Sequence, residues 1–216
     1  MSDITRLTTH PLALTSVTTL LDGSTGTAEF RKAMHNLSRI LIGEAVREVA
    51  KFLTLEEREV KTPLEPTQGV YLNGDAISLV PVLSAGLGML WAGLELLPAA
   101  PVHLIGLVRD SGTGVATCHY VRAPVGKPNI CFVLEPMEAT GGSASDAVTI
   151  VKGWGAQQVV CIGVNASPQG VERMRGDHPD VPFFFAKLGS GLTKEFYIKD
   201  GVGDAGDRWR GLGKTH

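Results

Sequence analysis

A chain of 216 residues, 44% hydrophobic and 19% charged, can bury a substantial core without disulfides or a structural metal. Its formal charge of −2, with no basic tract and no acidic tail, removes the electrostatic footing for nucleic-acid or membrane-surface binding. The three cysteines, Cys118, Cys131 and Cys161, form neither a C-x-x-C pair nor a zinc spacing.

The opening Met-Ser-Asp-Ile-Thr-Arg lacks the apolar centre of a signal peptide, and no apolar run reaches spanning length, so the expected setting is the cytoplasm. Residues 27–53 predict one long amphipathic helix, because Phe30, Met34, Leu37, Leu41, Ala45, Val49 and Phe52 recur at spacings of three and four. Glu44 and Arg47 flank that stripe at the spacing of an i,i+3 pair. A stretch marked by Pro and Gly follows at 63–74. The pattern then changes to short apolar segments rich in Val and Ile at 76–82, 102–108, 130–134, 159–164 and 183–186. Helices are expected between several of them, at 87–97, 143–154 and 169–176. Apolar strands alternating with helices predict an α/β fold with a mainly parallel, doubly wound sheet. Residues 115–121, after Asp110-Ser111-Gly112-Thr113-Gly114, predict instead the return arm of a hairpin, a flap over about 102–128.

Single residues add detail. Cys131 and Cys161 fall inside predicted strands, where a thiol packs as a small hydrophobe. Trp91 and Trp154 occupy helix positions expected to pack on neighbours, while Trp209 suits either core or subunit interface. The histidines show no metal spacing; His119, beside Tyr120, reads as a surface residue or as a ligand contact from the flap.

The most informative stretch runs from Ile130 through Glu135-Pro136-Met137-Glu138-Ala139-Thr140-Gly141-Gly142-Ser143. A buried strand ends at an acidic residue, a tight loop follows, and a helix begins near Ser143. Ligands collect beyond the carboxyl ends of parallel strands. Unpaired backbone N–H groups at a helix start bind anions. Gly141 and Gly142 remove the Cβ that would hold a phosphate off, and Thr140 and Ser143 add hydroxyl donors. Neither a Walker loop nor a G-x-G-x-x-G fingerprint occurs here. Two readings stand: a Ser-capped helix after a Gly turn, or a phosphate cradle. The acidic residues ahead of the loop favour the second, since they suit the 2′- and 3′-hydroxyls of a ribose.

Glu135-Pro-Met-Glu-Ala-Thr-Gly-Gly-Ser143 resembles the phosphoribosyl diphosphate loop of the uracil phosphoribosyltransferases, whose pattern is Asp-Pro-Met-x-Ala-Thr-Gly-Gly-Ser. The resemblance runs nearly end to end. It takes in His10-Pro11-Leu12, Thr62-Pro63-Leu64, Val80-Pro81-Val82-Leu83-x-Ala85-Gly86-Leu87-Gly88-Met89 and Ile105-Gly106-Leu107-x-Arg109-Asp110. The later Gly203-Asp204-Ala205-Gly206-Asp207-Arg208 matches without a gap. What the resemblance implies is a single phosphoribosyltransferase-like domain over residues 1–216 that joins uracil N1 to C1 of phosphoribosyl diphosphate, giving UMP and pyrophosphate. It implies Mg²⁺ as cofactor, bound mainly through the diphosphate, with no metal site of the protein's own. By position, Glu135, Glu138, Ala139, Thr140, Gly141, Gly142 and Ser143 hold the phosphoribosyl group, Ser84 and Arg109 face the diphosphate, and Asp204 sits near the ribose. Tyr197, Ile198, Gly203, Asp204 and Ala205, in a base-binding segment at about 189–212, hold the pyrimidine. Arg109 and Asp204 are the residues so implied in catalysis. The implied partners are small molecules and a second copy of the chain, as a homodimer or higher homo-oligomer.

Departures from the pattern gather at this site. Ribosyl transfer puts negative charge on the leaving pyrophosphate, and cations and N–H groups must stabilise it. Loss of one such donor costs about 3–4 kcal/mol of transition-state stabilisation. Where the family carries an arginine this chain has Ser84, which brings no charge. Glu135 is a methylene longer than the family's aspartate, and Glu138 is expected to add negative charge beside the phosphate. Lys199-Asp200 replaces Val-Pro and is expected to bring a carboxylate to the base. Lys127 and Arg122, on or near the flap, are the candidate replacement cations. Three readings follow: a working uracil phosphoribosyltransferase with charge supplied elsewhere; a divergent paralogue that binds a pyrimidine nucleotide-like ligand but acts on another base or nucleotide; a non-catalytic nucleotide-binding protein.

Overall fold

A computed structural model of the chain describes residues 5–109 and 116–212, with the side chains of Arg109 and Ala116 outside that description. The expected turn at 110–114 and His216 therefore lie outside it as well. The chain runs β1 (Thr5–Leu7), α1 (Pro11–Leu21), α2 (Thr27–Glu48), β2 (Leu55–Lys61), β3 (Pro66–Leu72), β4 (Ile77–Leu83), α3 (Leu87–Leu96), β5 (Leu104–Arg109) and β6 (Ala116–Arg122). It continues β7 (Ile130–Leu134), β8 (Met137–Glu138), α4 (Gly142–Gly153), β9 (Gln158–Ile162), β10 (Asn165–Ala166), α5 (Pro168–Asp177), β11 (Phe183–Phe185), β12 (Lys187–Leu188) and α6 (Ala205–Arg210).

The main sheet has the order β1-β11-β9-β7-β4-β5-β6. Its pairings are parallel from β1 through β5. Only β5–β6, the flap hairpin, is antiparallel, as expected from the turn signals. Successive strand side chains point to opposite faces, so each central strand feeds two cores. Ile77, Leu79, Ile130, Phe132 and Leu134 pack with Phe30, Leu37 and Leu41 of α2. Val80, Val82, Cys131 and Val133 pack on the other face with Ala147 and Val148 of α4 and Met174 of α5. Burial on both faces is why these strands read as unbroken apolar runs.

Several elements differ from the sequence expectation. The helix expected over 27–53 ends at Glu48 and tightens into a 3-10 turn at Ala50–Phe52, which leaves Phe52 exposed. Glu44 accepts from Thr8 Oγ1 at 2.8 Å and Glu48 meets Arg6 at 3.4 Å, so this acidic face ties β1 to α2; the expected Glu44–Arg47 pair is not what forms. A short helix, α1, precedes it, with Pro11 in its first turn and the His10 ring accepting from Leu12 N at 3.2 Å. The stretch at 63–74 is the tip and return strand of an antiparallel ribbon, β2–β3, whose residues are mostly exposed. Trp91 is 62% exposed, against expectation, while Trp154 stands edge-on to His103 at 5.7 Å. Trp209 packs on the first core against Gly88. No described helix is long and apolar enough to cross a membrane.

Cys131 and Cys161 are buried as expected, and Cys118 on the flap is exposed. Burial pushes the Cys131 thiol up to about 12. Cys161 is also held well above the ordinary thiol range, by burial first and then by the Glu138 and Glu135 carboxylates. Both are therefore protonated and inert at pH 8, since the thiolate is the nucleophile. Titration of the native protein with a disulfide reagent is expected to modify Cys118 alone, and unfolding to release all three thiols; fast labelling of Cys161 in the native state would contradict its placement.

Candidate active site

Three segments meet beyond the carboxyl edge of the sheet. The first, Ser84-Ala85-Gly86, joins β4 to α3, and the Leu83–Ser84 peptide is cis. A Cβ on Gly86 would lie 2.4 Å from Leu134 O and 2.7 Å from Val82 N and O, so only glycine lets this turn sit against the end of β7. The second segment leads from β7 through Glu135 and β8 to α4. Gly141 takes φ +74° as the N-cap of α4, and no side chain caps the first turn. The helix thus starts one residue earlier than expected, and the Ser-cap reading gives way to an uncapped start whose N–H groups are left for a ligand. Gly142 N makes only a long contact, 3.4 Å, to Thr140 Oγ1. The third segment approaches α6: Leu192 bridges Ile198, Thr193 N donates to Tyr197 O at 2.8 Å, and Phe196 adopts φ +64°.

These segments enclose a cavity of about 1070 Å³. Of the residues expected at a site, Ser84, Glu135, Ala139, Ser143, Tyr197, Ile198, Gly203, Asp204 and Ala205 line it. Thr140, Gly141 and Gly142, which link Ala139 to Ser143 in the chain, are not among the residues that line it. Arg109 closes β5, but its side chain lies outside the described residues. Asp204 is the N-cap of α6: Oδ1 accepts from Asp207 N at 2.8 Å. Ile198 O accepts from Gly201 N at 3.2 Å.

Three expectations require correction. Glu138 does not charge the pocket, because it is buried and turned to the opposite face from Met137, which lines the cavity. The cause is strand alternation: β8 pairs in parallel with β10 in a small sheet ordered β12-β10-β8, and this register sends Glu138 inward, where Cys161 Sγ donates to Oε1 at 3.7 Å. Asp200 likewise does not line the cavity. Its carboxylate accepts from Ser190 N at 2.8 Å, Ser190 Oγ at 2.9 Å and Lys187 Nζ at 3.2 Å, and these bonds, Ser190 N foremost, lower its pKa. Finally, Arg122 and Lys127 cannot replace a cation at Ser84. Arg122 pairs with Leu104 at the amino end of β5, and Lys127 lines a separate hollow of about 500 Å³ beside Asp75 and Asn129, at the other edge of the sheet.

Further residues stand at or near the site, and of these only His119 carried a sequence signal, as a surface residue or a ligand contact from the flap. His119 is the extra residue of a bulge: the register passes from Gly106↔Tyr120 to Leu107↔Cys118, which leaves His119 unopposed and facing the cavity. Arg210 enters from the last turn of α6, four residues after Gly206. Arg173 of α5 brings Nη1 to 3.2 Å from where a Cβ on Gly142 would stand, beside the start of α4. Asn165 is fully buried below this region, with its amide nitrogen 2.5 Å from a Cβ placed on Gly201.

A doubly wound sheet, a flap hairpin and an uncapped helix start beyond the central strand are the architecture of the type I phosphoribosyltransferase fold. The adenine phosphoribosyltransferase from Leishmania donovani shares this fold, with a TM-score of 0.57 at 15% identity over 90% of this chain and 88% of that one. The AQ2163 protein from Aquifex aeolicus superposes far more closely, with a TM-score of 0.89 at 31% identity over 97% and 99% of the two chains. The family model described as uracil phosphoribosyltransferase matches residues 7–211. A uracil phosphoribosyltransferase of Roseiflexus sp. (strain RS-1) is 42% identical over 205 residues, 94% of this chain and 96% of that one. The chain belongs to the uracil phosphoribosyltransferase family.

Because the atoms facing Gly86 are backbone and cannot give, Gly86→Ala is expected to cost about 1–3 kcal/mol by overpacking. Chemical denaturation measures it; unchanged stability would mean that the turn is not held against Leu134.

Proposed function

We propose that the protein catalyses a cytoplasmic pyrimidine-salvage reaction, forming UMP and pyrophosphate from uracil and 5-phosphoribosyl 1-diphosphate. The observation that carries this reading is a single cavity with an uncapped helix start on one side and the 197–205 segment on the other. Its volume, about 1070 Å³, stands at the upper end for small-molecule sites and leaves room for base, ribose and diphosphate together. The 5′-phosphate sits on the first-turn N–H groups of α4, with Thr140 and Ser143 hydroxyls as further donors and the helix dipole behind them. Glu135 takes the ribose hydroxyls. Backbone groups of Ile198, Gly203 and Ala205, beside Tyr197, read the acceptor–donor–acceptor edge of uracil. The described flap residues Gly106, Leu107, Val108 and His119 and the segment at 189–212 flank the substrates within one domain.

As the C1–O bond breaks, positive charge grows on the ribosyl ring and negative charge on pyrophosphate. The Glu135 and Asp204 carboxylates answer the first. The second falls to Arg109 and to Mg²⁺. Hard carboxylate oxygens from Glu135 and Asp204 suit that ion. This donor set would fit an ion carried in on the diphosphate, with Glu135 and Asp204 as the carboxylates that would hold it. When bound, Mg²⁺ supplies charge neutralisation at the leaving group.

The homodimer is part of the same proposal. Leu55, Leu64, Val70 and Tyr71 leave the β2–β3 ribbon with exposed apolar surface, and Trp91 is exposed on α3. Sedimentation of the purified protein is expected to give a dimer or larger species, and a monomer at all concentrations would remove this part.

Uracil-dependent release of pyrophosphate from phosphoribosyl diphosphate and Mg²⁺ tests the reaction. Turnover with uracil is the expected result. Silence with uracil alongside retained UMP binding would overturn it in favour of a paralogue acting on another base.

A further inference from the structure

We propose that Arg210 supplies the diphosphate-binding cation that residue 84 lacks, an assignment that rests on the diphosphate lying beside the Ser84-Ala85-Gly86 turn. That turn is pinned by the backbone contacts of Gly86 and has no charged side chain of its own. Helix α6 lies directly against it: a Cβ on Gly206 would stand 3.7 Å from Ala85 Cβ. Positions i and i+4 share a helix face, and long side chains on a helix lean toward its N-terminus. Arg210 obeys both rules, folding back so that its Nε donates to Gly206 O at 3.3 Å. Arg210 and Ser84 line the same cavity.

Charge in that cavity makes the assignment specific. Glu135, Glu195 and Asp204 contribute carboxylates, and Arg210 is the one arginine or lysine among the described residues that line it. Its neighbour Arg208 has other work: Nη1 donates to Val202 O at 2.8 Å, Nη2 to Asp22 O at 2.7 Å, and the guanidinium lies 4.3 Å from the Phe30 ring centroid. Arg208 thereby anchors α6 to α1 and α2. Arg210 rests on Asp207 in an i,i+3 pair with 45% of its side chain exposed. Asp207 is itself only 17% exposed, so the pair is partly buried, and a diphosphate, which carries more charge than one carboxylate, competes with it for the guanidinium. The planar fork then offers paired N–H donors to phosphate oxygens, which a serine cannot do.

The test uses the full chain and two independent readouts. Binding of inorganic pyrophosphate with Mg²⁺, followed by calorimetry, is expected to weaken at least about tenfold in Arg210→Ala, the scale of one charged hydrogen bond. Introducing Ser84→Arg into the Arg210→Ala chain is expected to restore it. In turnover, Arg210→Ala raises KM for phosphoribosyl diphosphate and leaves KM for uracil within about twofold. Should Arg210→Ala fold poorly, Arg210→Gln keeps the stem over Gly206 and carries the same comparison. The calorimetric arm does not depend on uracil turnover, so failure of the proposed reaction and failure of this assignment are distinguishable. A folded Arg210→Ala or Arg210→Gln protein that binds pyrophosphate as tightly as the wild type overturns it.

Discussion

Backbone packs directly on backbone along the carboxyl edge of the sheet, and the cleft takes its shape from those contacts. A Cβ on Gly86 would meet Leu134 O, one on Gly170 would stand 2.3 Å from Glu138 O, and one on Gly141 would stand 2.8 Å from Gly170 O. Ser167 binds the same corner from below, its N donating to Glu138 O at 3.0 Å and its Oγ accepting from Gly170 N at 2.9 Å. Loops held in this way lose little entropy when a ligand arrives. Electrostatic stabilisation of a transition state requires donors that are already in place, because reorganising them during the reaction would forfeit most of the gain.

Onto this frame the chain sorts its charges by direction rather than by number. Glu135 and Asp204 face the cavity, where a ribosyl cation would form in the proposed reaction. Glu138, only three residues from Glu135, is withdrawn to the Cys161 side, and Asp200 is spent on Ser190 and Lys187. The cleft is therefore less negative than its sequence suggests. That difference favours a diphosphate in the proposed reaction.

How much was legible follows from what each feature depends on. Strands buried on both faces announce themselves, since every residue must be apolar whichever way it points; the run Ile130–Leu134 agrees residue for residue. The glycine turn itself was legible because backbone conformation selects residue type locally, whereas its lack of a side-chain cap was not. Side-chain direction was not. Whether Glu138 faces ligand or core is set by the pairing of β8 with β10, a contact between segments almost thirty residues apart in the chain. His119 owes its aim to a bulge that leaves no mark in composition, and Arg210 owes its position to a helix of six residues, too short for a periodic signal. The exposed ribbon β2–β3 was missed for a related reason: with both faces in solvent it has no apolar stripe to read.

Asp204 shows how scaffold and chemistry share one residue. Its Oδ1 holds the first turn of α6 through Asp207 N, and that turn sets the direction in which the rest of the helix, Arg210 included, points. Asparagine and serine cap helices about as well as aspartate does, so capping by itself leaves the negative charge unaccounted for. In the proposed reaction a carboxylate at the wall of this cavity would account for it, and its second oxygen takes no hydrogen bond from the described residues. In the proposed reaction, the carboxylate that would steady the ring and the helix that would carry Arg210 toward the leaving group are thus held by the same hydrogen bond.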